Sequence, residues 1–362
     1  MLTTPPPPTD LLARFPGLEK LGRTTTRLHP RPASVDASQS HVGGPLRWPA
    51  DEPWPTCEVP PQAREEVPIP LDLLDRLRAA ETRRTRQNEL TEEEAELYDE
   101  IARLVGPGYT GWGSMNNGPV VGYRYRPRPH PRPNPMVALA QLRAEDVPDL
   151  PRPGGADLLQ VLWCPFDHAQ DGLWGPTVRL YWRREAEVSE LLADPPRGDA
   201  GRKGYLPKPC RLHPEQVVEY PYPEELPADL VERVDAWEGD DDGDDGGGGD
   251  GDDDDEGPDY VGTFMVPGWK VGGYANWSVT DLAPTPCPQC AGPTTLALVI
   301  DSTEGDAHNR DRWQPVEERQ SDEASSRALR QESTGVSVGR WGALRIFVCE
   351  RCPDVPFRLN LQ

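Results

Sequence analysis

Lys270-Val271-Gly272-Gly273-Tyr274-Ala275-Asn276-Trp277 has an echo earlier in the chain, His41-Val42-Gly43-Gly44-Pro45-Leu46-Arg47-Trp48. Both read Val-Gly-Gly, three variable residues, then Trp. Downstream, Asp157-Leu158-Leu159-Gln160-Val161-Leu162-Trp163-Cys164 aligns without gaps on Gly342-Ala343-Leu344-Arg345-Ile346-Phe347-Val348-Cys349. One supersecondary unit is used twice.

Hydrophobic patterning places strands inside each copy. Leu158–Trp163 is apolar on both faces, as a central strand must be. Met136–Leu142 is a strand before it, and Val178, Leu180 and Trp182 alternate with polar or amphipathic residues as in a half-exposed strand. Leu296–Ile300 and Leu344–Val348 are the strands of the second copy, and Thr24–Leu28 is a short strand ahead of the first. The paired glycines suit a turn that needs positive φ or close backbone approach. Gly43, Gly44 and Trp48, with Gly272, Gly273 and Trp277, then form two tight turns beneath packed tryptophans. A ligand groove beside the turns is the alternative. Neither turn matches a nucleotide loop.

The expected class is α+β, with internally duplicated, mainly antiparallel β units, a helical insertion and a zinc-ribbon-like C-terminal end. Residues 1–40 carry a Pro-rich mobile segment (1–8) and the first strand. Residues 41–237 are the first unit, with a helical insertion at about 60–130. There, Pro70 starts a helix with Leu71, Leu74, Leu77 and Ala80 inward. A Thr91/Glu94 capping box opens a second helix with Leu97, Tyr98, Ile101, Leu104 and Val105 on one stripe, stopped at Gly106. Arg124–Pro135 reads as an exposed linker. Residues 238–257, made only of Asp, Glu and Gly, are a solvated linker that fits no EF-hand register. Residues 258–362 are the second unit, with Asp301–Arg340 as a polar loop or exposed helix.

Formal net charge is −23, and the twelve acidic residues of 238–257 leave −11 on the remainder. That balance argues against binding along nucleic acid. The start of the chain has no signal-peptide pattern, and no run approaches the ~18 apolar residues of a membrane span. A soluble cytoplasmic protein is expected. In a reducing compartment its seven cysteines favour metal or free thiols over disulfides.

Cys287-Pro-Gln-Cys290 and Cys349-Glu-Arg-Cys352, 58 residues apart, offer four thiolates for one tetrahedral Zn²⁺ of structural type. A strand leaves the first knuckle and another enters the second, so pairing of the two would bring the knuckles together. Unliganded thiols, or an iron–sulfur cluster on the same ligands, are the alternatives. A weaker set, Cys164, His168, Cys210 and His213, is a possible second metal site. The bland reading there is a buried cysteine and surface histidines. No catalytic constellation is apparent, and an enzyme would need a pocket between the two copies using His168 or His213.

Val42–Gly44 with Trp48-Pro49, the strand Leu139-Ala140-Gln141-Leu142, Leu158–Trp163, Leu298–Ser302 and Trp341–Leu344 together resemble the YwqG-like family (domain of unknown function 1963). The resemblance covers residues 24–58, 136–183 and 260–362 in short motifs. It implies a duplicated α+β domain and a binding protein of immunity type, and it carries no catalytic residues. An acidic surface suits a basic protein partner. The helical insertion, the acidic tract and the cysteine knuckles depart from the family pattern.

Overall fold

The computed structural model describes residues 2–7, 9–83, 90–114, 118–128, 133–170, 173–199, 201–241, 259–277, 282–305, 310–319, 333–339 and 342–362. Most of the acidic tract, and Trp341, lie outside them. The chain divides into two compact units. Met1–Cys57, Asn134–Phe166 and Gln170–Gln362 form one, and Glu58–Pro133 with Asp167–Ala169 the other.

The larger unit holds two six-stranded antiparallel sheets. In order across the first run Val178–Arg183, Leu158–Trp163, Val137–Arg143, His41–Val42, Cys210–Arg211 and Arg31–Pro32. Across the second run Phe357–Leu361, Ala343–Val348, Thr295–Asp301, Lys270–Gly272, Arg23–Arg27 and Glu215–Glu219. The two orders correspond strand for strand. Even an irregularity recurs: Leu139 is skipped opposite the Val161/Leu162 step, and Ala297 opposite the Ile346/Phe347 step. A bulge leaves one residue without a partner and bends the strand. Its recurrence at the same step shows that the repetition extends to backbone geometry.

Both central strands, Leu158–Trp163 and Ala343–Val348, are buried at every position. Their inward residues Leu159, Val161 and Trp163, with Leu344, Ile346 and Val348, belong to one apolar cluster. The opposite faces are covered separately. Leu162 lies in a cluster with Trp48, and its counterpart Phe347 lies in a cluster with Trp277.

The halves are not segregated along the chain. After Arg27, in the second sheet, the chain crosses to Arg31–Pro32 in the first. After Arg211, in the first sheet, it crosses to Glu215–Glu219 in the second. The crossings carry one sequence, Arg27-Leu28-His29-Pro30 and Arg211-Leu212-His213-Pro214. Their registers match, since Arg211 pairs with His41 as Arg27 pairs with Lys270. The two segments meet where the His213 amide donates to the Leu28 carbonyl at 2.8 Å.

Two loops read as solvated are built into this unit. Thr4 is 8% exposed and hydrogen-bonded to Glu215, and the Thr3 and Pro5 beside it are held by Glu317 and Arg312, so this part of the Pro-rich start is pinned rather than free. Between 301 and 340, Ser302, Glu304, Trp313, Val336 and Val338 are buried. Val336 and Val338 join the apolar cluster of the central strands, whereas Ser302, Glu304 and Trp313 are held by charged or backbone groups.

In the smaller unit Leu71–Glu81 and Glu92–Val105 are helices. The capping box of Thr91 and Glu94 forms, and Gly106 caps the end. Leu73, Leu74, Leu77 and Ala80 are buried, whereas Leu71 and Leu104 are exposed. Leu71 follows Pro70 in the first turn, outside the arc that 73, 74, 77 and 80 share. The stretch read as a linker from Arg124 contains the middle strand of a three-stranded sheet. Val121–Pro127 pairs with Gln62–Pro68 on one side and Tyr109–Gly113 on the other. Its arginines are tied down, Arg124 donating to Glu65 at 2.9 Å and to the Val105 carbonyl at 2.9 Å.

Candidate metal centre

The strand Thr295–Asp301 leaves the first knuckle and Ala343–Val348 enters the second. They pair antiparallel with Thr295 opposite Val348, so both knuckles sit at one end of the ladder. The first turn closes with the Ala291 amide on the Cys287 carbonyl at 2.9 Å and the Cys287 amide on the Gly292 carbonyl at 2.8 Å. The second closes with Cys349 on the Pro356 carbonyl at 2.9 Å and Val355 on the Cys352 carbonyl at 3.0 Å.

Each turn holds a non-glycine residue in left-handed backbone, Ala291 at φ 54° and Val355 at φ 45°. For a β-branched residue such a conformation costs on the order of 1–3 kcal/mol and persists only where its surroundings enforce it.

The sulfurs of Cys287, Cys290, Cys349 and Cys352 lie within 4.8 Å of one another. Cys287 Sγ to Cys352 Sγ is 3.9 Å, and Cys290 Sγ to Cys349 Sγ is 3.8 Å. A tetrahedral ion with metal–sulfur bonds of about 2.3 Å requires sulfur–sulfur edges of about 3.8 Å. The amides of Gln289 and Cys290 point at Cys287 Sγ, each at 3.4 Å, and Arg351 reaches Cys290 Sγ at 3.7 Å. Backbone amides at the thiolate are the outer support a soft cation site needs.

Four thiols this close cannot all ionise without a cation. Burial opposes ionisation of Cys349, but the amides of Arg351 and Cys352 and the neighbouring thiols draw it down to about 6. Cys352 is pushed up to about 12 by burial and then by its sulfur neighbours. A bound dication removes the conflict by keeping every ligand deprotonated. The four cysteines can therefore hold a metal ion, and the donor set selects a soft one.

The weaker set does not come together as four. Cys210 lies on a strand separated by two others from Leu158–Trp163, the strand that Cys164 follows, which at about 4.8 Å per strand step places the two cysteines roughly 14 Å apart. Cys210 donates to the Ser333 carbonyl at 3.1 Å, and burial pushes its thiol up to about 11. Cys164 is raised by its contact with Cys57 and by burial. His213 is half-buried at its crossing, and His168 sorts with the smaller unit. Among the described residues no group able to hold a metal includes Cys210 or His213.

The Gly-Gly turns are braced from within. His41 Nε2 donates to the Pro45 carbonyl at 3.0 Å and its Nδ1 accepts from the Gly44 amide at 3.2 Å. Burial holds His41 down to about 4, so the ring is neutral. In the other copy Lys270 Nζ donates to the corresponding carbonyl, that of Tyr274, at 2.7 Å, and pairs with buried Glu219. Glu219 also accepts from the Tyr274 amide at 2.7 Å. A Cβ on Gly273 would lie 1.7 Å from Glu219 Oε1, and one on Gly43 would lie 2.5 Å from the Lys208 carbonyl oxygen. These glycines are therefore turn elements packed against protein atoms. Trp48 donates to the Glu52 carbonyl at 3.0 Å, and Trp277 stacks on Phe347 with centroids 6.2 Å apart.

A charged cluster at the first crossing was not among the candidates. His29, at φ 42° and 1% exposed, is flanked by Glu304 on Nδ1 and by Glu215 at 3.2 Å on Nε2. Arg31 bridges Glu304 and Glu318. These carboxylates hold Arg31 charged, and His29 and Arg31 in turn keep Glu304 well down, to about 2, against its burial. The repeated Arg-Leu-His-Pro tetrapeptide was the signal that marked this place in the sequence.

Fold and site thus define a duplicated α+β protein with a four-cysteine cluster able to hold a metal. No protein-family model matches the chain, and no curated protein matches it.

Proposed function

We propose that the chain is a non-catalytic, cytoplasmic protein-binding protein in which Cys287, Cys290, Cys349 and Cys352 hold Zn²⁺ as a structural ion. The observation that carries this reading is the filled centre between the repeats. Inward residues of both central strands share one apolar cluster, where an enzyme built on the duplication would need a pocket. Four sulfur ligands complete a tetrahedral shell and leave no position for substrate. The motif resemblance adds a YwqG-like, immunity-type role. The acidity outside the acidic tract suits a basic partner, such as a toxin domain, over nucleic acid.

The test is a pull-down with the full chain at low and moderate salt. A partner retained at low salt and weakened at moderate salt is expected. Recovery of no protein partner under either condition sinks the reading. The catalytic alternative would use His168 or His213.

A further inference from the structure

The start of the chain occupies a groove whose chemistry reads a particular peptide. The Thr3 amide and hydroxyl donate to Glu317, each at 2.8 Å. The Thr4 amide donates to Glu215 Oε1 at 2.8 Å and its hydroxyl to Oε2 at 2.6 Å. The same hydroxyl accepts from Arg27 Nη1 at 2.5 Å. The Thr3 carbonyl accepts from the Val316 amide at 2.9 Å, and the Pro5 carbonyl from Arg312 Nη1 at 2.6 Å. Every backbone group of Thr3 and Thr4 that faces the groove, and both hydroxyls, thus have partners supplied from elsewhere in the fold.

Residues 5–8 are all proline, so the segment brings no further amide donor for the groove to satisfy. The floor is fixed, because Arg27 is 1% exposed and also donates to the Trp313 carbonyl at 3.1 Å. Glu215 is held by His29 from behind at 3.2 Å. A valine in place of Thr4 would match its shape but take one hydrogen bond from Glu215 Oε2, which keeps the Thr4 amide and His29, and leave a buried Arg27 guanidinium N–H without its acceptor, which such a site penalises more than lost contact area.

We propose that this groove is a docking site for an extended hydroxyl–hydroxyl–proline segment. The chain's own Thr3-Thr4-Pro5 is a tethered occupant, which a partner presenting the same pattern displaces. The inference goes beyond the binding reading above and does not depend on the metal or on the acidic surface. A phosphate on the second hydroxyl would face Glu215, so the site takes the unmodified residue.

The probe is a fluorescein-labelled peptide, Leu-Thr-Thr-Pro-Pro-Pro-Pro, followed by anisotropy. The full chain carrying Thr3→Ala and Thr4→Ala, which weakens the tethered competitor, should bind it saturably. Wild type should bind at least about tenfold more weakly, and a peptide with both threonines replaced by valine should not bind to either. Equal binding of the valine peptide, equal binding by wild type, or no binding by a folded double variant would overturn the proposal. If the double variant fails to fold, wild-type protein with excess unlabelled peptide decides. Amide exchange at Thr3 and Thr4 should accelerate, and unchanged exchange at millimolar peptide rejects the site.

Discussion

The central strands Leu158–Trp163 and Ala343–Val348 are both wholly buried, both opposed by a bulge at the same step, and both followed by a cysteine. The second runs into the four-cysteine cluster that can hold a metal ion. Three residues past Cys164 stands Asp167, where the second copy has Cys352. The shared strand geometry delivers a thiol to the end of each sheet. In the second copy a cysteine at i+3 and a second knuckle beside it complete a set of four thiols. Cys164 is a buried side chain packed with Leu162 and Met136.

The sharpest way to break this comparison is to remove the thiol from each side. Cys349→Ser should release the metal, read by elemental analysis of protein purified without added metal, and collapse the melting temperature. Ligation in small zinc domains is worth about 10–16 kcal/mol of folding free energy. Cys164→Ser should leave metal content unchanged and cost only about 1–3 kcal/mol for a buried polar group. Equal loss from both variants, or no metal in wild type, would end the distinction.

The two braces of the Gly-Gly turns differ in charge, and that difference predicts the next effect. Lys270→Met strands Glu219 as a buried carboxylate, at a cost of about 3–5 kcal/mol in denaturant melts. The neutral brace His41 tolerates replacement by Gln, which can still donate to the Pro45 carbonyl, at about 1 kcal/mol.

Acid should separate the copies further. His41 is held down to about 4 from an ordinary 6.5. The folded state therefore binds fewer protons than the unfolded chain between those values, and stability falls as pH drops through that window. The loss reaches about 3 kcal/mol at 1.36 kcal/mol per unit. Asp301, raised to about 6 by burial, works in the opposite sense between its ordinary 3.8 and 6. It is common to wild type and His41→Gln, so the difference between their pH–stability curves isolates His41. Superimposable curves would show that the ring titrates normally.

The smallest expected effect compares the crossings. Arg211 is exposed, and Arg211→Ala should stay within about 0.5 kcal/mol. Arg27→Ala should cost several-fold more, because Arg27 is buried against Thr4, Trp313 and Glu304.

The duplication, the buried central strands, the capping box and the grouping of four cysteines were legible because each is written in local pattern. Periodicity marks a strand, a residue three positions on marks a cap, and paired Cys-x-x-Cys turns at the ends of adjoining strands mark a site. What the sequence did not show depends on partners far away in the chain. The stretch 124–135, which includes the end of the sheet strand Val121–Pro127, looked like a linker because arginine and proline dominate it, yet Arg124 is bound by Glu65 and a helix carbonyl. Cys210 looked like a metal ligand because spacing alone cannot count the strands that come to lie between two residues.

The chain's crossing from one sheet to the other, the burial of His29 among carboxylates and the pinning of Thr3 and Thr4 were decided by tertiary structure. Each brings together residues some 200 or more positions apart. The free energy of such contacts lies in matched charges and hydrogen bonds at one place in space, which no window along the sequence contains.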